Sequence, residues 1–164
     1  MNLLFLIVLL PLLSFLLLSF SAGRFSEKIS ALIGVGMIGL TALVTLYVTV
    51  DFLNQPLSQP EKAFPVFHQT LWHWISVGNF SIPVTLTLDG LSLTMLLVVT
   101  VVGFLIHLYA SWYMRTEEGY SRFFAYTNLF IASMIVLVLA DNLLLLYLGW
   151  EGVGLCSYLL IGFY

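Results

Sequence analysis

The sequence predicts an all-α transmembrane protein of about five membrane helices, with a small β-hairpin on its outer face. Three observations predict it. Apolar residues make up 61% of the 164 positions and charged residues only 8%, against about half and about a quarter in soluble domains. Uncharged runs of the ~20 residues needed to cross a bilayer recur along the chain. Between the second and third runs, a long polar stretch takes on the period-two alternation of a strand.

The first span covers 1–20. A removed leader would carry a basic start and a shorter apolar run, so a membrane helix fits better, although Ser21-Ala22-Gly23 has the form of a cleavage site. Pro11 is tolerated in a membrane helix. Arg24, Glu27 and Lys28 form a short connection, and the second span covers 29–50. The outer loop, 51–89, holds Pro56, Pro60, Pro65 and Pro83. From Leu71 to Leu88 it reads as a hairpin, turning at Ser76-Val77-Gly78-Asn79 and alternating along Val84-Thr85-Leu86-Thr87-Leu88. Trp72 and Trp74 suit the headgroup level.

The third span covers 90–113 and ends at Trp112 and Tyr113, before a connection bearing Arg115, Glu117, Glu118 and Arg122. The fourth covers 123–140, Asp141-Asn142 is a tight turn, and the fifth covers 143–164. Arg24, Lys28, Arg115 and Arg122 fall on one side of this arrangement and Lys62 on the other. The positive-inside rule therefore places the N-terminus and the hairpin outside and Tyr164 at the cytoplasmic face.

Several patterns point to less than they resemble. Gly34-Val35-Gly36-Met37-Ile38-Gly39 has the dinucleotide-binding spacing, but it lies inside an apolar span without the strand–turn–helix context that motif needs. Small residues there suit close helix packing. Cys156 is the sole cysteine, which excludes an internal disulfide or a cysteine metal cluster. His68 and His73 lack neighbours in sequence that would complete a metal site. Asn79-Phe80-Ser81 has the glycosylation spacing, which matters only in a secretory pathway. The net charge of −3 and the absence of a basic patch speak against nucleic acid.

Glu151 is different in kind. It lies eight residues after Leu143, roughly 12 Å down the helix and so near the middle of a ~30 Å hydrocarbon core. A charge there costs ~2.5–3.5 kcal/mol on insertion scales. Its neighbours at helical spacing are Tyr147, Leu148, Gly154, Leu155 and Tyr158. Two readings stand: a proton-carrying carboxylate, or a neutral glutamate hydrogen-bonded between helices. No basic residue of this chain lies at its depth. Span three carries Thr100, Gly103, His107 and Ser111 on one face, and His107 is either a proton relay or a packing histidine bonded to a neighbouring helix. Thr127 and Asn128 in span four are read as interhelical hydrogen-bonders or water-lining groups. Asp89 reads as the N-cap of span three.

The run Trp150-Glu151-Gly152-Val153-Gly154-Leu155-Cys156-Ser157-Tyr158-Leu159-Leu160-Ile161-Gly162-Phe163-Tyr164 closely resembles the glutamate-bearing helix of the subunit L family of bacterial NADH–quinone oxidoreductase, respiratory complex I. Leu88-Asp89-Gly90-Leu91-Ser92 and Ser121-Arg122-Phe123-Phe124-Ala125-Tyr126-Thr127-Asn128-Leu129-Phe130 fit the same family. The related family from multisubunit Na⁺/H⁺ antiporters shares the Trp-Glu and Leu-Ile-Gly elements but matches the central run less well. The resemblance implies a proton-translocating subunit of the membrane arm in the bacterial inner membrane, and a chain that is the N-terminal part of a larger antiporter-like helical bundle. It implies partners among the other membrane-arm subunits, the lipid bilayer and protons. NADH, FMN, iron–sulfur clusters and quinone would belong to other subunits, leaving this chain without a redox centre. The proton pathway expected within it comprises Glu151, His107, Tyr147 and Tyr158, with Thr100 and Asn128 packing helices or lining water. A lysine missing from this chain would pair with Glu151. The other readings are a structural membrane module and a stand-alone component of a multisubunit Na⁺/H⁺ antiporter.

Overall fold

The computed structural model describes residues 3–21, 23–55, 65–78 and 80–164. Ala22, Pro56, Pro60, Lys62 and the Asn79 of the glycosylation spacing lie outside the described residues. Six α-helices and one hairpin follow in the order α1 (Leu4–Phe20), α2 (Glu27–Leu53), β1 (Phe67–Val77), β2 (Phe80–Leu88), α3 (Gly90–Leu97), α4 (Gly103–Tyr113), α5 (Tyr120–Leu139) and α6 (Leu143–Ile161). A π-helical turn, Val98–Val102, joins α3 to α4 in one membrane-length element.

Among the described residues four elements are long and apolar enough to cross a membrane: α2, the α3–α4 unit, α5 and α6. The apolar α1 is shorter, at 17 residues, near the lower limit of ~17 for a span. Its buried residues Leu4, Ile7, Pro11, Ser14 and Leu18 recur at three and four positions, the stripe a helix turns toward its neighbours. In α2 the glycine pattern serves packing. A side chain at Gly34 would come within 2.7 Å of Phe124, and one at Gly39 within 2.9 Å of Phe104. Gly36, between them, faces open space.

The hairpin is antiparallel and begins at Phe67, four residues earlier than alternation alone marks. Irregularities between Thr70 and Trp72 and between His73 and Ile75 break the period-two pattern on β1. The free edge of β2 is not left bare. Leu86 bridges Ala140, and the Asp141 amide donates to the Thr85 carbonyl at 3.3 Å. Thr87 donates its hydroxyl to Asp141 Oδ1 at 2.6 Å, and His68 Nδ1 lies 3.3 Å from the same oxygen. His68 thus gains a carboxylate neighbour that is remote in sequence.

Asn142 completes this latch. Its Nδ2 donates to the Pro83 carbonyl at 3.0 Å, while its Oδ1 accepts from the Leu145 amide at 3.0 Å and caps α6. Asn142→Ala removes both bonds, so a loss of about 1–2 kcal/mol is expected. Faster amide exchange at Leu145 and Asp141 would register it, and unchanged exchange at both would count against the latch.

Asp89 is the N-cap of α3 in a full capping box: its Oδ1 accepts from the Ser92 amide at 2.7 Å, and Ser92 Oγ accepts from the Asp89 amide at 2.8 Å. The Ser92 backbone bond holds the Asp89 carboxyl below its ordinary value of 3.8, against a smaller opposing effect of burial. A carboxylate with a lowered native pKa stabilises the fold above its unfolded pKa, and that contribution disappears as pH falls through the native one. Asp89→Ala should therefore cost about 1 kcal/mol at neutral pH, with the difference from the natural protein closing in acid. A thermal-melting difference that persists unchanged in acid would contradict the assignment.

The fourth span begins one turn earlier than the apolar run suggests, at Tyr120. Gly119 supplies the left-handed residue before it, at φ +88°, a conformation that glycine adopts without strain.

Candidate functional site

The turn at Asn142 aims α6 down the flank of α5, and the seam between them is built from small residues. A side chain on Gly149 would meet the Leu137 backbone nitrogen at 2.7 Å, and one on Gly152 would meet Ser133 Oγ at 2.6 Å. Leu145, Gly149 and Cys156 are the buried positions of α6, at spacings of four and seven that define one inner face. Glu151 stands off that face and is exposed, together with Tyr147, Leu148, Leu155 and Tyr158. None of the described helices covers this side of α6.

Tyr147 lies one turn before Glu151 on the same exposed side of α6. Tyr158 lies two turns beyond, 75% exposed, beside a small cleft shared with Arg122 and Phe163. Among the described residues Glu151 forms no ion pair. The outward face of α6 is thus a carboxylate flanked by two phenols on a membrane-spanning helix.

His107 occupies a separate place. It is buried on α4, with its ring 6.1 Å from that of Phe124 on α5. Its Nδ1 lies 2.8 Å from the Gly103 carbonyl one turn earlier. This bond lies within α4. Thr100 is also buried and bonds its own helix, donating to Leu96 at 2.8 Å from within the π-helical turn. Such turns are frequent at functional sites.

Thr127 and Asn128 also bond within their own helix. Thr127 donates to the Phe123 carbonyl at 3.0 Å, and Asn128 Nδ2 to the Phe124 carbonyl at 2.7 Å, both within α5. The structure brings Tyr147 to Glu151, and gathers His107 and Asn128 around Phe124. None of the described interactions joins the two groups. Among the described residues no group of three or more His, Cys, Asp or Glu is placed to hold a metal.

Comparison with known proteins covers both groups. Residues 74–124, from the hairpin through His107 to Phe124, match the family described as NADH-ubiquinone oxidoreductase (complex I), chain 5 N-terminus. Residues 140–164, the Asn142 cap and all of α6, match the family described as NADH:quinone oxidoreductase/Mrp antiporter, TM. The whole chain is 68% identical to NADH-quinone oxidoreductase subunit L of Escherichia coli strain K12, covering 26% of that protein. The chain is a relative of NADH-quinone oxidoreductase subunit L. The subunit L of Pseudomonas aeruginosa is 65% identical over 100% of the chain and 26% of its own length. That of Rickettsia typhi is 36% identical over 99% of the chain and 24% of its own length. The chain therefore spans about a quarter of the length of these subunit L relatives. The second strand of the hairpin, the capped third span and the glutamate helix fall inside the family matches, and the identity to subunit L over the whole chain takes in the elements that position Glu151 and His107.

Proposed function

We propose that this chain forms part of a proton-translocating membrane subunit of NADH–quinone oxidoreductase, in which Glu151 is the principal protonatable group. The observation that carries the reading is the placement of Glu151 on the uncovered face of a spanning helix, inside the segment that matches the antiporter family. A carboxylate at that depth is costly unless it is paired. Its counter-charge comes from protein outside this chain, and a lysine suits the role because opposite charges a few ångströms apart stabilise each other's ionised forms. Shifting that pair changes which member holds the proton. Tyr147 and Tyr158 extend the polar face along α6, and His107 with Thr100 and Asn128 forms a second polar locus inside the bundle.

NADH, FMN, iron–sulfur clusters and quinone are assigned to other subunits, and the partners to the rest of the membrane arm and the surrounding lipid. Arg24, Lys28, Arg115 and Arg122 are assigned to the cytoplasmic side of the inner membrane, with the hairpin facing the periplasm. The Glu27 carboxylate accepts from the Thr116 amide at 3.3 Å, and one cleft takes in Glu27, Lys28 and Arg115. These contacts support a shared end for the two basic connections.

The test is Glu151→Gln in the complete enzyme, expected to depress NADH-driven proton pumping, with Glu151→Asp keeping part of it. Normal pumping by the glutamine variant would overturn the reading. The antiporter family name carried by the α6 match favours a second reading, a stand-alone component of a Na⁺/H⁺ antiporter. Na⁺/H⁺ exchange by vesicles lacking any NADH dehydrogenase would select it.

A further inference from the structure

We infer that α4 and α5 hold a buried water molecule between His107 Nε2 and Asn128 Oδ1. His107 is 4% exposed and Asn128 0%. Each side chain spends one end on its own helix. A carbonyl can only accept, so the 2.8 Å contact between His107 Nδ1 and the Gly103 oxygen fixes the proton on Nδ1. Nε2 of the neutral ring is then an acceptor. Asn128 donates through Nδ2 to Phe124, leaving Oδ1 as an acceptor too. Among the described residues neither Nε2 nor Oδ1 has a partner, and buried acceptors are seldom left so.

The two atoms cannot satisfy each other, because neither brings a proton. One water molecule brings two. The helix layers place the atoms close in height: Gly103 of α4 packs on Ile131 of α5, and His107 packs on Phe124. Asn128 lies between Phe124 and Ile131 on α5, so it is bracketed by the two residues that His107 and Gly103 touch.

Water has a short way to travel. A cleft of about 780 Å³ opens at the arginine-bearing end, and its wall includes Ser30, Ser121 and Ala125. Ala125 is three residues from Asn128, about 4.5 Å along the helix. The buried hydroxyls of Ser30 and Ser121, in the wall of that cleft, likewise lack partners among the described residues. Protonation of His107 converts Nε2 from acceptor to donor, so the bridged water is the group that would deliver or take that proton. In this last respect the inference rests on the proposed proton path; the hydration itself follows from the geometry of the two side chains.

A map of the complete complex that resolves ordered water is the test. A peak about 2.7–3.2 Å from both atoms is expected, and its loss in Asn128→Leu. A dry contact between α4 and α5 would overturn the inference, as would a peak that persists in the leucine variant. If that variant does not assemble, the map of the natural protein decides alone. Glu151→Gln that pumps normally would remove the proposed function and leave this peak expected; a dry site would leave the case for Glu151 untouched.

Discussion

Proton transfer through the path that contains Glu151 is expected to fall about 10²-fold in Glu151→Gln, the low end of what a positioned acid–base group contributes. A pH-sensitive dye across vesicles bearing the complete complex would read it as lost acidification during NADH oxidation. Glutamine keeps the size of the side chain but cannot ionise, so the loss reports on the acid–base group rather than on bulk. The seam with α5 should be untouched, since Glu151 stands off the face formed by Leu145, Gly149 and Cys156. This makes the experiment decisive between mechanism and scaffold. A merely structural glutamate would lower the stability of the complex and leave the ratio of protons to electrons intact. Glu151→Asp retains the ionisable group on a shorter stem and should fall between the two.

Gly149→Val should have the largest effect on assembly. The nearest atoms to an added side chain are the backbone nitrogen and Cα of Leu137, at 2.7 and 2.8 Å, and helix backbone cannot step aside as a flexible side chain can. Relief requires α6 to move away from α5, with an expected cost of about 1–3 kcal/mol or more for the overpacking. The helix that carries Glu151 would shift with it. Retention of the protein in the solubilised complex, and the melting temperature of that complex, would measure the loss. Gly36→Val is the matched control, because nothing lies within 4 Å of that position and only the small change in helix propensity remains. Equal behaviour of the two variants would mean that the α5–α6 seam is looser than described.

The membrane-length helices were legible because composition and run length state them almost directly, and Asp89 was legible because a capping carboxylate lies immediately before an apolar run. The place of Glu151 in the middle of α6 followed from counting residues. Its exposure did not, because the apolar residues around α6 leave no contrast between a lipid face, a helix seam and a face awaiting another segment. The strand Phe67–Thr70 was missed since His68, Gln69 and Thr70 are consecutive polar residues, and their order comes from pairing with Thr85–Leu88. The π-helical turn leaves no trace in Val98-Val99-Thr100-Val101-Val102, where nearly every position is apolar and a slipped register changes little in the pattern. His107 and Asn128 were recognisable as polar positions on helix faces. That each would bond its own helix, and leave an acceptor over, depends on the placement of Phe124 and Gly103.

The latch on β2 also has a consequence for the order in which the protein is made. Thr87 is synthesised 54 residues before Asp141, an interval of about 3–10 s at ordinary elongation rates. Through that interval the edge of β2 has no Ala140–Asp141 rung to accept it, while α3, α4 and α5 are still emerging. The hairpin can close on itself early but reaches its final hydrogen bonding only when the turn before α6 arrives. Docking of that turn therefore comes before the glutamate helix is complete, and it sets the capped start of α6 beside the hairpin.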